Sequence, residues 1–168
     1  MPLPLIFILV TVMIDAMGVG LILPVMPDLI REVRGGGLSD AALWGGVLAT
    51  GFAAMQFLFG PVLGGLSDRF GRRPVLLLAL IVMTLDYGVM ALAGSIWLLL
   101  IGRLVGGITA ATHATASAYM ADISPAQDRA ARFGLIGAAF GAGFVLGPLM
   151  GGVLGEYGTR APFWAAAV

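Results

Sequence analysis

The chain has 168 residues, of which 60% are hydrophobic and 11% are charged, whereas a soluble domain has about 45–50% apolar and about 25% charged residues. A soluble core of this size could not bury so much apolar surface, so the composition predicts a membrane protein. The net charge is zero, every basic residue is Arg, and there is one His and no Cys. These features argue against nucleic-acid binding and bound metal, and they exclude disulfides and thiol chemistry.

Apolar stretches long enough to cross a bilayer, which takes about 20 residues, occur at 5–29, 44–66, 74–93, 96–121 and 133–154. The first lacks a basic leader and a cleavage site and is predicted to be a retained span. A sixth begins at 161, and residues 161–168 are too few to cross. The predicted fold class is an all-α integral membrane protein, with one N-terminal transmembrane bundle over 1–168 and a C-terminal half expected beyond it.

The short polar segments between the spans predict the orientation. Five Arg residues lie in the segments 67–73 and 122–132, and three lie in the opposite set. Because translocated loops are depleted of basic residues, the N-terminus is predicted to be cytoplasmic.

Two acids and one Arg lie inside apolar spans, where each costs about 2.5–3.5 kcal/mol on insertion scales. Asp15 is ten residues into the first span, roughly 15 Å deep at about 1.5 Å per residue. Asp86 and Arg103 flank the turn at Gly94-Ser95 almost symmetrically, so in an antiparallel hairpin they are expected to form an ion pair. Gln56 reaches a similar depth in the second span.

Each of these polar residues has a structural alternative. Asp86 and Arg103 could form a buried pair that only joins two helices. Asp15 has no obvious local partner, which favours a proton or ion site, but it could also accept hydrogen bonds that pack helices. A lone His such as His113 is more often a packing residue than a proton carrier.

A cluster of charged residues and glycines ends the second span. Gly71 is expected to take the left-handed conformation that ends a helix, and Asp68 can neutralise nearby Arg or cap a helix. The segment resembles the cytoplasmic signature loop of the major facilitator superfamily, G-x-x-x-D-R-x-G-R-R, which is thought to stabilise one access state. The matching residues are Gly64, Asp68, Arg69, Gly71, Arg72 and Arg73; Gly65 departs from the basic residue common there.

The fifth span is rich in glycine at i, i+4 spacing, with pairs 137/141, 143/147 and 147/151 predicted on one packing face, and Gly147-Pro148 predicts a kink. It resembles the superfamily's antiporter signature, which is associated with exporters, through Gly141, Gly147, Pro148 and Gly151. The segment from Gly102 to Gly107 resembles the superfamily's membrane-embedded Arg motif, implicated in proton transfer.

A narrower resemblance covers nearly the whole chain. The segments 15–24, 85–87, 121–123 and 161–163 are similar to the bacterial tetracycline efflux antiporters. That resemblance implies exchange of a proton for a tetracycline–divalent metal complex across the bacterial inner membrane, with the proton gradient as driving force and the metal arriving in the substrate. It implies Asp15 and Asp86 as cation or proton sites. We further expect Arg103 to set the proton affinity of these acids and Gln56 to line the site as a donor.

Alternative functions remain open from the sequence. A multidrug or sugar efflux antiporter would use the same coupling chemistry, and a truncated fragment would not transport. The expected partners are the lipid bilayer, a small-molecule drug, and a missing C-terminal half or a second copy. An enzyme is not predicted, because no nucleophile, base and orienting group form a recognisable set.

Overall fold

The structure, a computed structural model, describes residues 3–110 and 112–167 as a bundle of helices. Residues 1, 2, 111 and 168 belong to the predicted bundle and lie outside the described residues. The helices are α1 (Leu3–Arg34), α2 (Leu38–Phe70), α3 (Arg72–Leu92), α4 (Ile96–Thr109), α5 (Thr112–Ile123), α6 (Arg129–Gly155) and α7 (Ala161–Ala166), with one 3₁₀ turn at Ala126–Asp128.

The all-α membrane class predicted from the sequence is confirmed. Five helical stretches in the described ranges are long and apolar enough to cross a membrane, with α4 and α5 together forming the fourth. The helices extend beyond several apolar stretches, since polar residues at the ends continue the backbone hydrogen bonding. Gly71 separates α2 from α3 at a positive φ of 96°, as predicted, but its ψ of 149° lies outside the left-handed helical region.

The fourth span, predicted over 96–121, is interrupted at Ala110. α4 ends at Thr109, Ala110 has φ of −76° and ψ of 41°, and helix is described again over Thr112–Ile123. The Thr109 hydroxyl donates to the carbonyl of Gly106 at 3.2 Å. Adjacent glycines and a Thr that bonds the backbone both weaken a helix, which accounts for the interruption.

Glycines of α6 bring it against α1 in the most extensive helix contact of the bundle. Gly143, Gly147 and Gly151 are buried, and an added Cβ at each would collide with a main-chain oxygen of α1. An added Cβ at Gly137 or Gly141 would meet no described atom within 4 Å. The predicted single packing face is therefore wrong for 137/141, because these residues point to another side of α6.

Buried apolar residues form two clusters at different levels of the bundle. One contains Leu29, Leu48, Met90, Leu99 and Phe163 toward the end where α1 meets α2. The other contains Leu5, Ile8, Leu76, Met120 and Ile136 toward the opposite end. Residues between these levels, from about 15 to 22 in α1 and 79 to 87 in α3, line a cavity.

Arg160 connects three elements at the end of the bundle where α7 begins. Its guanidinium donates to the carbonyls of Ala91 and Ala93, each at 2.8 Å, and to the Glu32 carboxylate at 2.8 Å. The Thr159 hydroxyl donates to the other Glu32 oxygen. This cluster fixes the end of α3 relative to α1, and α3 is the helix that carries Asp86.

The glycine contact predicts a difference between two alanine substitutions in α6. Gly147→Ala would place its Cβ 2.8 Å from the Leu21 nitrogen and 2.9 Å from the Gly20 Cα, and overpacking of this kind costs about 1–3 kcal/mol. Thermal unfolding of the purified chain in detergent should therefore begin at a lower temperature. Gly141→Ala, the control, should leave the transition unchanged or slightly raised; equal melting of the two variants would contradict the packing described.

Candidate functional site

A cavity of about 60 Å³ lies between the two apolar clusters and collects the polar residues predicted from the sequence. Five helices contribute to it. The side chains that carry its chemistry are Asp15 of α1, Gln56 of α2, Asp86 and Tyr87 of α3, Arg103 of α4 and Thr112 of α5. Residues far apart in the chain thus meet at one level of the bundle.

Asp86 and Arg103 face each other across the antiparallel α3–α4 pair. The Arg103 Nη1 lies 3.9 Å from the Asp86 Oδ2, and the exposed fractions of the two side chains are 13% and 6%. The Arg103 guanidinium also lies 4.1 Å from the centre of the Phe52 ring. One cation therefore interacts with both a carboxylate and an aromatic face, and the ion pair is long.

The second carboxylate oxygen of Asp86 is unusual. Its Oδ1 atom is buried and has no hydrogen-bond partner among the described residues. A buried polar atom without a hydrogen-bond partner lowers the stability of a protein by about 1–3 kcal/mol. The unpartnered oxygen of Asp86 therefore indicates a functional role and not a contribution to stability.

Asp15 is half-buried in the same cavity. Thr112 and His113 are polar neighbours of its carboxylate, and α5 begins at Thr112. The interruption of the fourth span at Ala110 lines the same cavity as Asp15. His113 packs its ring edge-on against Phe140, with centroids 5.6 Å apart.

Gln56 contacts the interruption itself. Its side-chain Nε2 donates to the carbonyl of Ala110 at 2.6 Å. The sequence predicts Gln56 as a donor facing the cavity, and here its amide nitrogen donates to the chain's own backbone. A carbonyl at a helix break otherwise lacks the partner that a continuous helix supplies.

The predicted signature loop lies at the opposite end from Arg160. Arg72 pairs with Asp68 at 2.5 Å and with Asp122, which follows the fourth span, at 3.0 Å. Arg72 also donates to the Ser67 hydroxyl at 2.6 Å, and that hydroxyl donates to the carbonyl of Gly64. The guanidinium groups of Arg69 and Arg73 lie over the rings of Phe70 and Phe7. Arg72 therefore joins the two polar segments that the orientation rule assigns to the cytoplasm.

Three cavity residues were not singled out by the sequence analysis. Tyr87 adjoins Asp86 in the chain and is buried, Phe52 packs under Arg103, and Thr112 begins α5. Only Tyr87 had a signal, its position beside an intramembrane acid. Within 3–110 and 112–167, no group of three or more His, Cys, Asp or Glu residues is placed to hold a metal ion.

Residues 8–168 match the family described as the Major Facilitator Superfamily. The chain belongs to this superfamily. It is a multi-pass membrane protein. Its superfamily membership and its multi-pass character both agree with the motifs found in the signature loop and in the spans.

Similar proteins include several named for tetracycline resistance. The class C protein of Escherichia coli is 54% identical over 98% of this chain and 41% of its own length. The class E protein of Escherichia coli is 49% identical over 95% of this chain and 39% of its own length. The resemblance predicted from the sequence is therefore confirmed.

Two further proteins are similar to this chain. Multidrug resistance protein 2 of Bacillus subtilis (strain 168) is 33% identical over 96% of this chain and 40% of its own length. A crystal structure of the human organic anion transporter MFSD10 (TETRAN) superposes with a TM-score of 0.81 at 26% identity, covering 99% of this chain and 46% of that one. The chain spans about 40% of the length of the curated relatives.

The contact between Gln56 and Ala110 predicts a pH-dependent effect of Gln56→Glu. A neutral Glu can still donate to the Ala110 carbonyl, whereas an ionised Glu can only accept. The variant should unfold like the unmodified chain at acidic pH and at a lower temperature as pH rises, with a loss of about 1 kcal/mol. Gln56→Met, which cannot donate, should be destabilised at every pH. Identical pH curves for Gln56→Glu and the unmodified chain would contradict the role of this contact.

Proposed function

We propose that this chain forms one half of a proton-coupled drug efflux antiporter of the bacterial inner membrane, with a tetracycline–divalent metal complex as its substrate. The observation that carries the proposal is the mid-depth cavity in which two carboxylates and one guanidinium meet between apolar layers. The 54% identity to a class C tetracycline resistance protein supports the choice of substrate.

The proposed exchange rests on competition for the same carboxylates. Buried acids in a membrane are costly unless neutralised, so Asp15 and Asp86 favour either a proton or a cationic substrate. Arg103 supplies one positive charge for two acids, which leaves the site able to accept one more. The divalent ion enters with the drug as part of the substrate, and the proton gradient drives release.

Access to the two sides requires movement of one helix bundle against another. The chain spans about 40% of the length of its relatives, so the proposed partner is a C-terminal half or a second copy of this chain. The loop that contains Gly64, Asp68, Arg69, Gly71, Arg72 and Arg73 is proposed to gate the cytoplasmic side. This loop and the 122–132 segment together contain five Arg residues, and the segments on the opposite side contain three. This difference supports a cytoplasmic N-terminus.

Replacing Asp15 by Asn in a full-length transporter that carries this chain tests the coupling. Asn keeps the size of the side chain but cannot exchange a proton, so addition of tetracycline with Mg²⁺ should no longer release protons from acidified everted vesicles. A fluorescent pH indicator measures the release. Asp28→Asn is the matched control on the same helix, since Asp28 is exposed and pairs only loosely with Arg31 at 3.6 Å. Normal proton release by Asp15→Asn would refute its assignment.

A second test concerns the partner. Cells that express this chain alone should remain sensitive to tetracycline, because one bundle cannot alternate access. Co-expression with the C-terminal part of the class C relative should restore drug efflux, measured as reduced accumulation of tetracycline. Efflux by the chain alone, together with a dimer in chemical cross-linking, would favour the second-copy arrangement over the two-half arrangement.

A broader substrate range is the second candidate, favoured by the 33% identity to a multidrug resistance protein. The two alternatives separate in one assay. A tetracycline antiporter should protect cells from tetracyclines but not from an unrelated lipophilic cation such as ethidium, whereas a multidrug antiporter should reduce accumulation of both.

A further inference from the structure

Two glycines of α4 lie directly against the Asp86 carboxylate. A Cβ added to Gly102 would fall 2.6 Å from the Asp86 Oδ1, and one added to Gly106 would fall 2.7 Å from the Oδ2. Both glycines are buried and one helical turn apart. The carboxylate therefore occupies the space that side chains at these two positions would take, which we call the glycine groove.

The surroundings of the glycine groove are largely apolar. A Cβ at Gly102 would also approach the Val89 side chain at 3.5 Å, and one at Gly106 would approach the Phe52 ring at 3.7 Å. The carboxylate oxygen nearest Gly102 has no hydrogen-bond partner in the described ranges, and the other is 3.9 Å from Arg103. The groove holds the acid close enough to Arg103 for attraction but beyond hydrogen-bond distance.

We propose that Gly102 and Gly106 are positioning residues that seat the Asp86 carboxylate against the α4 backbone, out of direct contact with Arg103, so that the acid can bind and release a proton. A hydrogen-bonded ion pair would hold the acid in its charged form, because a buried guanidinium at short range strongly favours a carboxylate. The use of this proton in antiport rests on the proposed function, whereas the position of the carboxylate against the two glycines does not.

Few ionisable groups of the described residues face the Asp86 carboxylate. Arg103 comes from α4, Asp15 from α1, and Tyr87 from the same helix as Asp86, all around one cavity. From α2 the neighbours are Phe52 and Gln56, which do not titrate, and from α5 the cavity neighbour is Thr112, with His113 beside Asp15. A methyl group at either glycine would push the carboxylate toward the cavity and Arg103.

Carbodiimide labelling measures this displacement without requiring transport. Dicyclohexylcarbodiimide reacts with protonated carboxyl groups in apolar surroundings, and mass spectrometry of the purified chain quantifies the labelled Asp86. Gly102→Ala and Gly106→Ala should each lower Asp86 labelling at pH 7 by at least about threefold. A threefold decrease in the protonated fraction corresponds to a shift of the Asp86 titration by about half a pH unit. Gly88→Ala, on α3 where an added Cβ meets nothing within 4 Å, should label like the unmodified chain.

A double variant separates seating from general packing. If the carboxylate is what the methyl displaces, Gly106→Ala should lower the melting temperature when Asp86 is present and have little effect in the Asp86→Ala background. This comparison holds even if the single variant folds poorly. Gly107→Ala, whose Cβ would collide with the Phe52 carbonyl at 2.5 Å, should destabilise both backgrounds equally. Equal effects of Gly106→Ala in both backgrounds would overturn the proposal.

The outcomes also distinguish this proposal from the proposed function. Unchanged Asp86 labelling in both glycine variants, or no labelling of the unmodified chain even at pH 6, would overturn the glycine groove as a seat for a proton-binding acid. Reduced labelling with normal drug-driven proton release in the full-length transporter would support the groove and remove Asp86 from the coupling mechanism.

Discussion

Ionisable side chains in the middle of a membrane bundle have to be neutralised by the protein itself, because hydrocarbon offers neither water nor counterions. In this chain a single guanidinium, Arg103, is set against two carboxylates, and its ion pair with Asp86 is long at 3.9 Å. Three features set the distance between Arg103 and Asp86: the α3–α4 turn, the glycines at the crossing of these helices and the aromatic ring under Arg103.

Two apolar clusters flank the level of the cavity in the bundle. One lies toward the Arg160 end and the other toward the Arg72 end, and both contain buried Leu, Ile and Met side chains. The α1–α6 contact positions Asp15, because Gly143 and Gly147 bring the α6 backbone against α1 at the residues on either side of that acid. Glycines thus locate both acids, one through α6 and the other through α4.

Much of this arrangement follows from sequence patterns. The spans follow from hydropathy, and the facing of Asp86 and Arg103 follows from their near-equal distances to the Gly94-Ser95 turn. The break at Ala110 escapes a hydropathy window, because Thr, Gly and Ala are apolar enough to maintain the average while they weaken the helix. With 26 glycines in the chain, spacing alone cannot say which face packs; Gly141 and Gly147 differ only through the helix that lies opposite. The hydrogen-bond partner of Gln56 cannot be predicted from the sequence either, because it depends on where the fourth span is interrupted.

The two ends of the bundle bear on how it would move. At one end Arg160 bonds to α1 through Glu32 and to the last carbonyls of α3; at the other, Arg72 joins the α2–α3 turn to the end of α5 through Asp122. Bonds at both ends, together with backbone-to-backbone glycine contacts between α1 and α6, leave little freedom for helices to slide past one another. We therefore expect the described helices to move as one body. In the proposed transporter, exposure of the cavity to either side would then come from displacement of this bundle against a partner bundle. Within the described residues, the break at Ala110 is a point where the backbone could respond to what the cavity holds.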